Sequence, residues 1–368
     1  MRLVLFFTAG MSLRTWARIG SLEREIAIYK IIRTRVTKVR FVTYGDGRDH
    51  AYADRLGGIG VTCNRWRLPR RLYAGLVSKV YPRLWGKDVI VKTNQIPGAE
   101  VAARAARCGN NRFVARCGYL HSDFIGYRYG ENSSQAVKAR RLENSVFATA
   151  DRVVVTTSEM ACTVARRYQV SPGRISVIPN HVDIALFDGM SGGGREVKRL
   201  CFVGRLDDQK NLVALFEAIA GLGVELVLVG TGPLEAKLRR RASADKSAVC
   251  FLGNVPHGQL VRVFQDADIF VLPSLYEGHP KALIEAMAAG LPVIGTRVPG
   301  IQELIHHGET GYLCGTSSKE IQNAIRRVSA DFRLRRKMGR QARAHVAEHF
   351  SIHRVATMEL EMMRELVR

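Results

Sequence analysis

No stretch of this 368-residue chain reaches 18 consecutive apolar residues, so no segment of it reads as a membrane-spanning helix. Low-complexity tracts are also missing and three tryptophans are present, which argues against a disordered chain. The seven cysteines form no C-x-x-C pair and their number is odd. That argues against a disulfide framework or a structural zinc site and fits a reducing, cytoplasmic setting. Cys201 and Cys250 fall within apolar runs and read as small core residues. Acidic residues are scarce: 33 Asp and Glu stand against 56 Lys and Arg, a formal net charge of +23. Most of the deficit lies early, because residues 1–190 hold 31 basic and 14 acidic side chains and residues 191–368 hold 25 and 19. An acid-poor half of this kind fits nucleic acid, an anionic membrane or an acidic acceptor. The apolar run Leu3–Phe7 is too short for a signal-peptide core and reads as a first buried strand.

What the chain does contain is enough for two packed domains, with 46% apolar residues over this length. It is organised around Val271–Ile301. Asp268–Leu272 reads as a buried parallel strand and Ser274–His279 as a polar turn. Pro280 opens a helix over Lys281–Ala289, Gly290 closes it, and Leu291–Gly295 is the next strand. The turn therefore lies at the carboxyl end of its strand, where open α/β sheets bind ligands. It carries Glu277. Glu285 follows eight residues later, between Ile284 and Ala286, on a helix where no simple solvent face can be drawn. The first amides of that helix, Lys281 and Ala282, suit a phosphate or diphosphate. Upstream, the strand Arg199–Val203 runs into Gly204–Leu212, GRLDDQKNL. There Arg205 offers a planar fork and Lys210 a point charge, a pair suited to a diphosphate. Cations and an anion-binding helix tip beside two carboxylate acceptors point to a ligand bearing both phosphates and hydroxyls, and a nucleotide sugar fits.

The remaining pattern alternates strands and helices, which predicts doubly wound parallel sheets. In the first half the expected strands are Leu3–Phe7, Val39–Thr43, Asp88–Lys92, Arg112–Ala115, Arg152–Thr156 and Ile175–Ile178. Helices are expected at Leu22–Ile32, Ala99–Cys108, Ser133–Ala150 and Ser158–Tyr168, with Thr8–Arg18 as a loop. Trp66–Trp85 interleaves aromatics and cations with Leu and Val, and its prolines confine a helix to about Arg70–Tyr81. It fits either an anionic membrane surface or a helix packed on its own sheet with a basic outer face. The glycine run in Asp183–Glu196 reads as the linker. In the second half, Glu225–Gly230 and Val249–Gly253 read as strands, and the GTGPL turn lacks the ending of a Walker loop. A helix over Gln259–Ala267, a small strand ending at Cys314, a basic helical stretch Ser318–Phe350 and a last helix Ile352–Val367 complete the chain. The cluster Arg333–Lys337 reads as a solvated face.

Glu277, seven residues, Glu285, then Gly290–Ile294, Gly300 and Glu303, preceded by Gly204-Arg205-Leu206 with Lys210-Asn211, make a long ordered pattern. It resembles the retaining glycosyltransferases of family 4. The specific motifs lie within residues 200–315, and the first domain matches by pattern alone. The resemblance implies an α/β chain of GT-B fold: two Rossmann-like domains facing each other across a cleft. Residues 1–188 would bind acceptor, with 351–368 packing back on them, and 195–350 would bind the nucleotide sugar. Arg205 and Lys210, next to Gly204, would grip the donor phosphates with the amides of Lys281 and Ala282. Glu277 and the backbone near Gly278 and His279 would hold the sugar ring, Glu285 the ribose, and the turn at Val255 the base. His121, after the strand at Arg112, would reach the sugar from the first domain. Gly20 would face the donor, although the family's Gly-Gly is Gly20-Ser21 here. In Pro179–Asp183 His181 stands for the family's glycine, so no positive φ is expected there. The catalytic set would be Glu277, His121, Arg205 and Lys210, with no cofactor and no metal. The implied partners are a UDP- or GDP-sugar and a saccharide or lipid-linked acceptor, without nucleic acid. The implied location is cytoplasmic, with residues 66–85 able to meet the inner face of the membrane. Two other readings stay open: an epimerase or sugar phosphorylase on the same fold, and a basic nucleic-acid binder.

Overall fold

The computed structural model describes residues 1–188, 196–244 and 248–367. The chain divides into two compact units, Met1–Pro179 with Val355–Arg368, and Asn180–Arg354. Residues 180–188, assigned from sequence to the first domain, thus belong with the second, and the linker run Ser191–Gly194 lies outside the described residues.

The first unit runs β1 (Arg2–Phe6), α1 (Leu13–Arg18), α2 (Leu22–Arg33), β2 (Lys38–Val42), β3 (Gly60–Thr62), α3 (Arg70–Lys79) and β4 (Val89–Thr93). It continues through α4 (Ala99–Cys108), β5 (Arg112–Cys117), α5 (His121–Tyr129), α6 (Ser134–Thr149), β6 (Arg152–Val155), α7 (Ser158–Tyr168) and β7 (Ile175–Val177). All seven strands are parallel, in the order β3-β2-β1-β4-β5-β6-β7. Their aliphatic runs suit burial on both faces, which helices packed on each side provide. The order reverses between β1 and β4, where the following loops touch: Ala9 N–H donates to Pro97 O at 2.9 Å. Two readings need correction. Thr8–Arg18 is not all loop, because Ser12 Oγ accepts from Thr15 N–H at 3.0 Å and caps α1, which buries Leu13 and Trp16. Six residues are too few for a periodic signal. The helix at Arg70 ends at Lys79, and a 3-10 turn Tyr81–Leu84 follows.

The second unit runs β8 (Arg199–Val203), α8 (Leu212–Ile219), β9 (Glu225–Val229), α9 (Glu235–Ala244), β10 (Val249–Gly253) and α10 (His257–Gln265). Then come β11 (Ile269–Leu272), α11 (Lys281–Ala288), β12 (Val293–Thr296), β13 (Tyr312–Cys314), α12 (Ser318–Ala330) and α13 (Phe332–His349). Its six parallel strands are ordered β10-β9-β8-β11-β12-β13, so the reversal falls between β8 and β11. The cluster Arg333–Lys337 is not wholly solvated: Arg335 is 3% exposed and its guanidinium donates to the carbonyls of Val328 and Ser329. It closes the α12–α13 corner, a role that a basic run does not announce. His181 keeps a negative φ, as its sequence implies.

The final helix, α14 (Ile352–Val367), starts in the second unit, where Ile352 N–H donates to Val182 O at 2.9 Å. From Val355 it belongs to the first. There Glu359 pairs with the buried Lys92 of β4, and Arg152 reaches Glu365 at 3.1 Å. Among the described residues no helix is long and apolar enough to cross a membrane.

Candidate active site

The switch point between β8 and β11 sets the geometry of the second unit. The loop after β8 carries Gly204, Arg205 and Lys210, and the loop after β11 carries Glu277, Gly278 and His279. Because the strands are neighbours, their loops leave side by side, and the chain stitches them together. Leu275 N–H donates to Gln209 O, and Gln209 Nε2 donates to Tyr276 O, both at 2.8 Å. The Lys210 ammonium donates to Glu277, whose carboxylate also accepts from Ser274 Oγ at 2.7 Å. Lys210 and Glu277, 67 residues apart in sequence, are thus one mostly buried ion pair. Arg205 stands differently: its side chain is 67% exposed and its nearest carboxylate is Asp207 at 3.6 Å. Its guanidinium is solvated at the start of the loop that follows β8.

Glycines press the loops together. A Cβ on Gly300, which has φ +77°, would lie 2.0 Å from Gly278 O, and one on Gly230 would lie 2.0 Å from Gly204 O. His279 is fixed from behind, where Asn180 Nδ2 donates to its carbonyl at 2.6 Å and Asn180 N–H to its Nδ1 at 3.3 Å. α11 opens at Pro280, whose side chain makes no capping hydrogen bond, and Lys281 and Ala282 form its first turn. Glu285 lies one turn on and is 1% exposed. Its partner was not read from the sequence: His257, first residue of α10, places Nε2 3.0 Å from Glu285 Oε1. A lone His after a turn proline gives no signal, since the two residues meet only because β10 and β11 send their loops to the same edge. Val255, two residues before His257, is half-buried in the turn after β10.

In the first unit, His121 is the first residue of α5 rather than a loop residue, at the carboxyl end of β5. Burial holds its imidazole below the usual pKa, with Glu143 pulling weakly the other way. Glu143 of α6 is fully buried, accepting from Ser122 N–H at 3.0 Å and from the Tyr168 hydroxyl. Gly20 is not in the loop that leaves β1. It ends α1 with φ +77°, donating to Ala17 O at 3.1 Å, so a helix stop accounts for its glycine. The loop that does leave β1, Thr8–Ser12, holds Gly10. Among the described residues no group of three or more His, Cys, Asp or Glu side chains is arranged to hold a metal ion.

Two parallel sheets, each with a switch point, define a Rossmann-type α/β protein, and the second switch point carries a cluster of carboxylates and cations as its candidate site. The family described as glycosyl transferases group 1 matches residues 193–345, and that described as Glycosyltransferase Family 4 matches residues 33–186. N-acetyl-alpha-D-glucosaminyl L-malate synthase of Bacillus anthracis is 32% identical over 342 residues, covering 82% of this chain and 88% of that protein. The chain belongs to the group 1, family 4 glycosyltransferases and has the GT-B fold. D-inositol 3-phosphate glycosyltransferase of Corynebacterium glutamicum is 29% identical, and the match covers 60% of this chain but 58% of that relative's length. Among solved structures, Anabaena Alr3699/HepE in complex with UDP and glucose superposes with a TM-score of 0.79 at 19% identity, covering 99% of this chain and 100% of that one. Sucrose-phosphate synthase from Thermosynechococcus elongatus gives 0.80 at 21% identity, covering 100% and 99%.

Proposed function

We propose that the chain transfers a sugar, with retention of configuration, from a UDP- or GDP-sugar to a saccharide or lipid-linked saccharide acceptor in the synthesis of a cell-surface glycan. The observation that carries this reading is the Lys210–Glu277 pair, which joins two ligand-facing loops at the switch point. In the proposed step an acceptor hydroxyl attacks the anomeric carbon on the face from which the diphosphate departs. The bond from that carbon to the β-phosphate oxygen breaks, its electron pair stays on the phosphate, and the hydroxyl proton passes to the same phosphate group. Charge grows on the diphosphate, and the Lys210 ammonium, Arg205 and the first turn of α11 would meet it. Glu277 would hold the sugar hydroxyls while keeping Lys210 in place, Glu285 would accept from the ribose, and the turn at Val255 would carry the base. His121, held largely neutral by burial, would hydrogen-bond the sugar rather than present it a charge.

One relative supports a glycan setting: 34% identical over 171 residues, it is named an amylovoran biosynthesis glycosyltransferase from Erwinia amylovora. The solved Anabaena neighbour holds UDP-glucose, which favours a uridine donor. No metal enters the reading, because protein cations supply the positive charge; activity lost to EDTA and restored by Mg²⁺ would overturn that. A screen of UDP-, GDP-, ADP- and dTDP-sugars by thermal shift and slow hydrolysis identifies the donor. With it, Lys210→Ala and Glu285→Ala lower turnover on the order of 10²–10³-fold. Near-wild-type rates in both would remove the assigned roles, and an inverted anomeric linkage in the product would remove retention.

The reading extends to location. Trp66, Leu72, Val80 and Leu84 project from the α3 region among arginines and lysines, and this surface would rest on the anionic inner face of a membrane, next to a lipid-linked acceptor.

A further inference from the structure

The turn after β10 and helix α11 are tied together by one side chain. His257 follows directly on the Val255-Pro256 turn, and its Nε2 lies 3.0 Å from Oε1 of Glu285. Both groups are buried. A carboxylate can only accept, so the ring carries its hydrogen on Nε2 whichever charge state it is in. A buried carboxylate is costly unless donors hold it, and a donor on one oxygen also fixes the plane of the group. We propose that His257 is a positioning residue for nucleotide recognition: by donating to Oε1 it sets the Glu285 carboxylate to accept from a ribose diol, and it locks the base-bearing turn to α11. The inference rests on the reading of Glu285 as the ribose acceptor. A histidine here would then make the protein choose ribonucleoside over 2′-deoxyribonucleoside diphosphates.

The test separates the two claims. Calorimetric affinities are measured for UDP, GDP and their 2′-deoxy counterparts on the wild type and on His257→Leu, His257→Gln and Glu285→Ala. The wild type is expected to favour the ribose form by roughly 10- to 100-fold, as for a hydrogen bond to a charged group. His257→Leu collapses that ratio toward one while the deoxy form binds as before. His257→Gln, whose amide nitrogen reaches the place of Nε2, keeps most of it, a rescue that mere packing would not give. If His257→Leu fails to fold, His257→Asn, whose amide stops short of Glu285, replaces it with the same expectation. A wild-type ratio retained in His257→Leu or His257→Asn but lost in Glu285→Ala overturns the role of His257 and leaves the ribose reading standing. A ratio retained in Glu285→Ala, or no ratio in the wild type, overturns both.

Discussion

Gly300 illustrates how much a single missing Cβ can decide. Its φ of +77° alone disfavours any other residue, by roughly 1–2 kcal/mol. Gly10, with φ +82°, has the same handicap, but a Cβ there would meet nothing within 4 Å. At Gly300 the Cβ would strike Gly278 O at 2.0 Å and Glu277 O at 2.9 Å, backbone atoms that cannot swing aside. Gly300→Ala must therefore push the Glu277–His279 loop and carry Glu277 away from Lys210. Gly10→Ala serves as the control for backbone strain. We expect Gly10→Ala to lose about 1–2 kcal/mol in urea unfolding, and Gly300→Ala to lose more and also weaken donor binding at least about tenfold. Equal effects of the two substitutions on donor binding would show that the contact with Gly278 is irrelevant.

At the scale of elements, α14 depends on an ion pair that its own surroundings disfavour. Lys92 is the next-to-last residue of β4 and Glu359 lies in the middle of α14, and both are almost fully buried. Burial lowers the Lys92 ammonium below its ordinary pKa despite the attraction of Glu359, so desolvation outweighs the partner. Breaking such a pair leaves one buried charge, and Lys92→Met should destabilise the first unit by about 3–5 kcal/mol. Replacing both, with Lys92→Met and Glu359→Leu, should restore or exceed wild-type stability. Denaturant midpoints of the singles and the double check this, and a double variant as unstable as the single would show that the pair is irreplaceable. This pair also marks where sequence reading runs out. Every strand but the three-residue β3 was legible, most to within two residues, because buried parallel strands are continuous aliphatic runs, and α4, α7, β8, β10 and α14 match their expected bounds. Lys92 hid inside one such run because nothing local says that its charge has a partner 267 residues away. The same holds for His257 with Glu285 and for Arg335 under its helix corner. Ordered motifs around Glu277 and Glu285 were legible because ligand loops repeat a fixed spacing. In the first unit loop position alone was available, and Gly20, read from sequence as facing the donor, stands at the end of α1.

For the whole molecule the uneven charge is the feature the transfer chemistry leaves unexplained. Residues 65–87 contain seven Lys or Arg and no Asp or Glu. Tyr73 and Val77 turn into the core, and Leu72, Val80 and Leu84 turn out, with Leu84 76% exposed. Arg65 lies over the Trp66 ring at 4.2 Å. A nucleic acid would satisfy the cations but offers no apolar phase for Leu72 and Leu84, whereas an anionic leaflet satisfies both. Each cation near such a surface contributes about 1 kcal/mol, and the attraction fades within a Debye length of about 8 Å at physiological salt. The chain should therefore sediment with phosphatidylcholine vesicles only when phosphatidylglycerol is included, and salt should release it. Reversing two charges, with Arg71→Glu and Arg83→Glu, should weaken binding by at least about tenfold. Leu72→Ser with Leu84→Ser should also weaken it without changing net charge. If the leucine pair changes nothing, the attachment is purely electrostatic and the docking surface proposed here is wrong. If neutral vesicles bind equally well, the basic half serves another anionic partner.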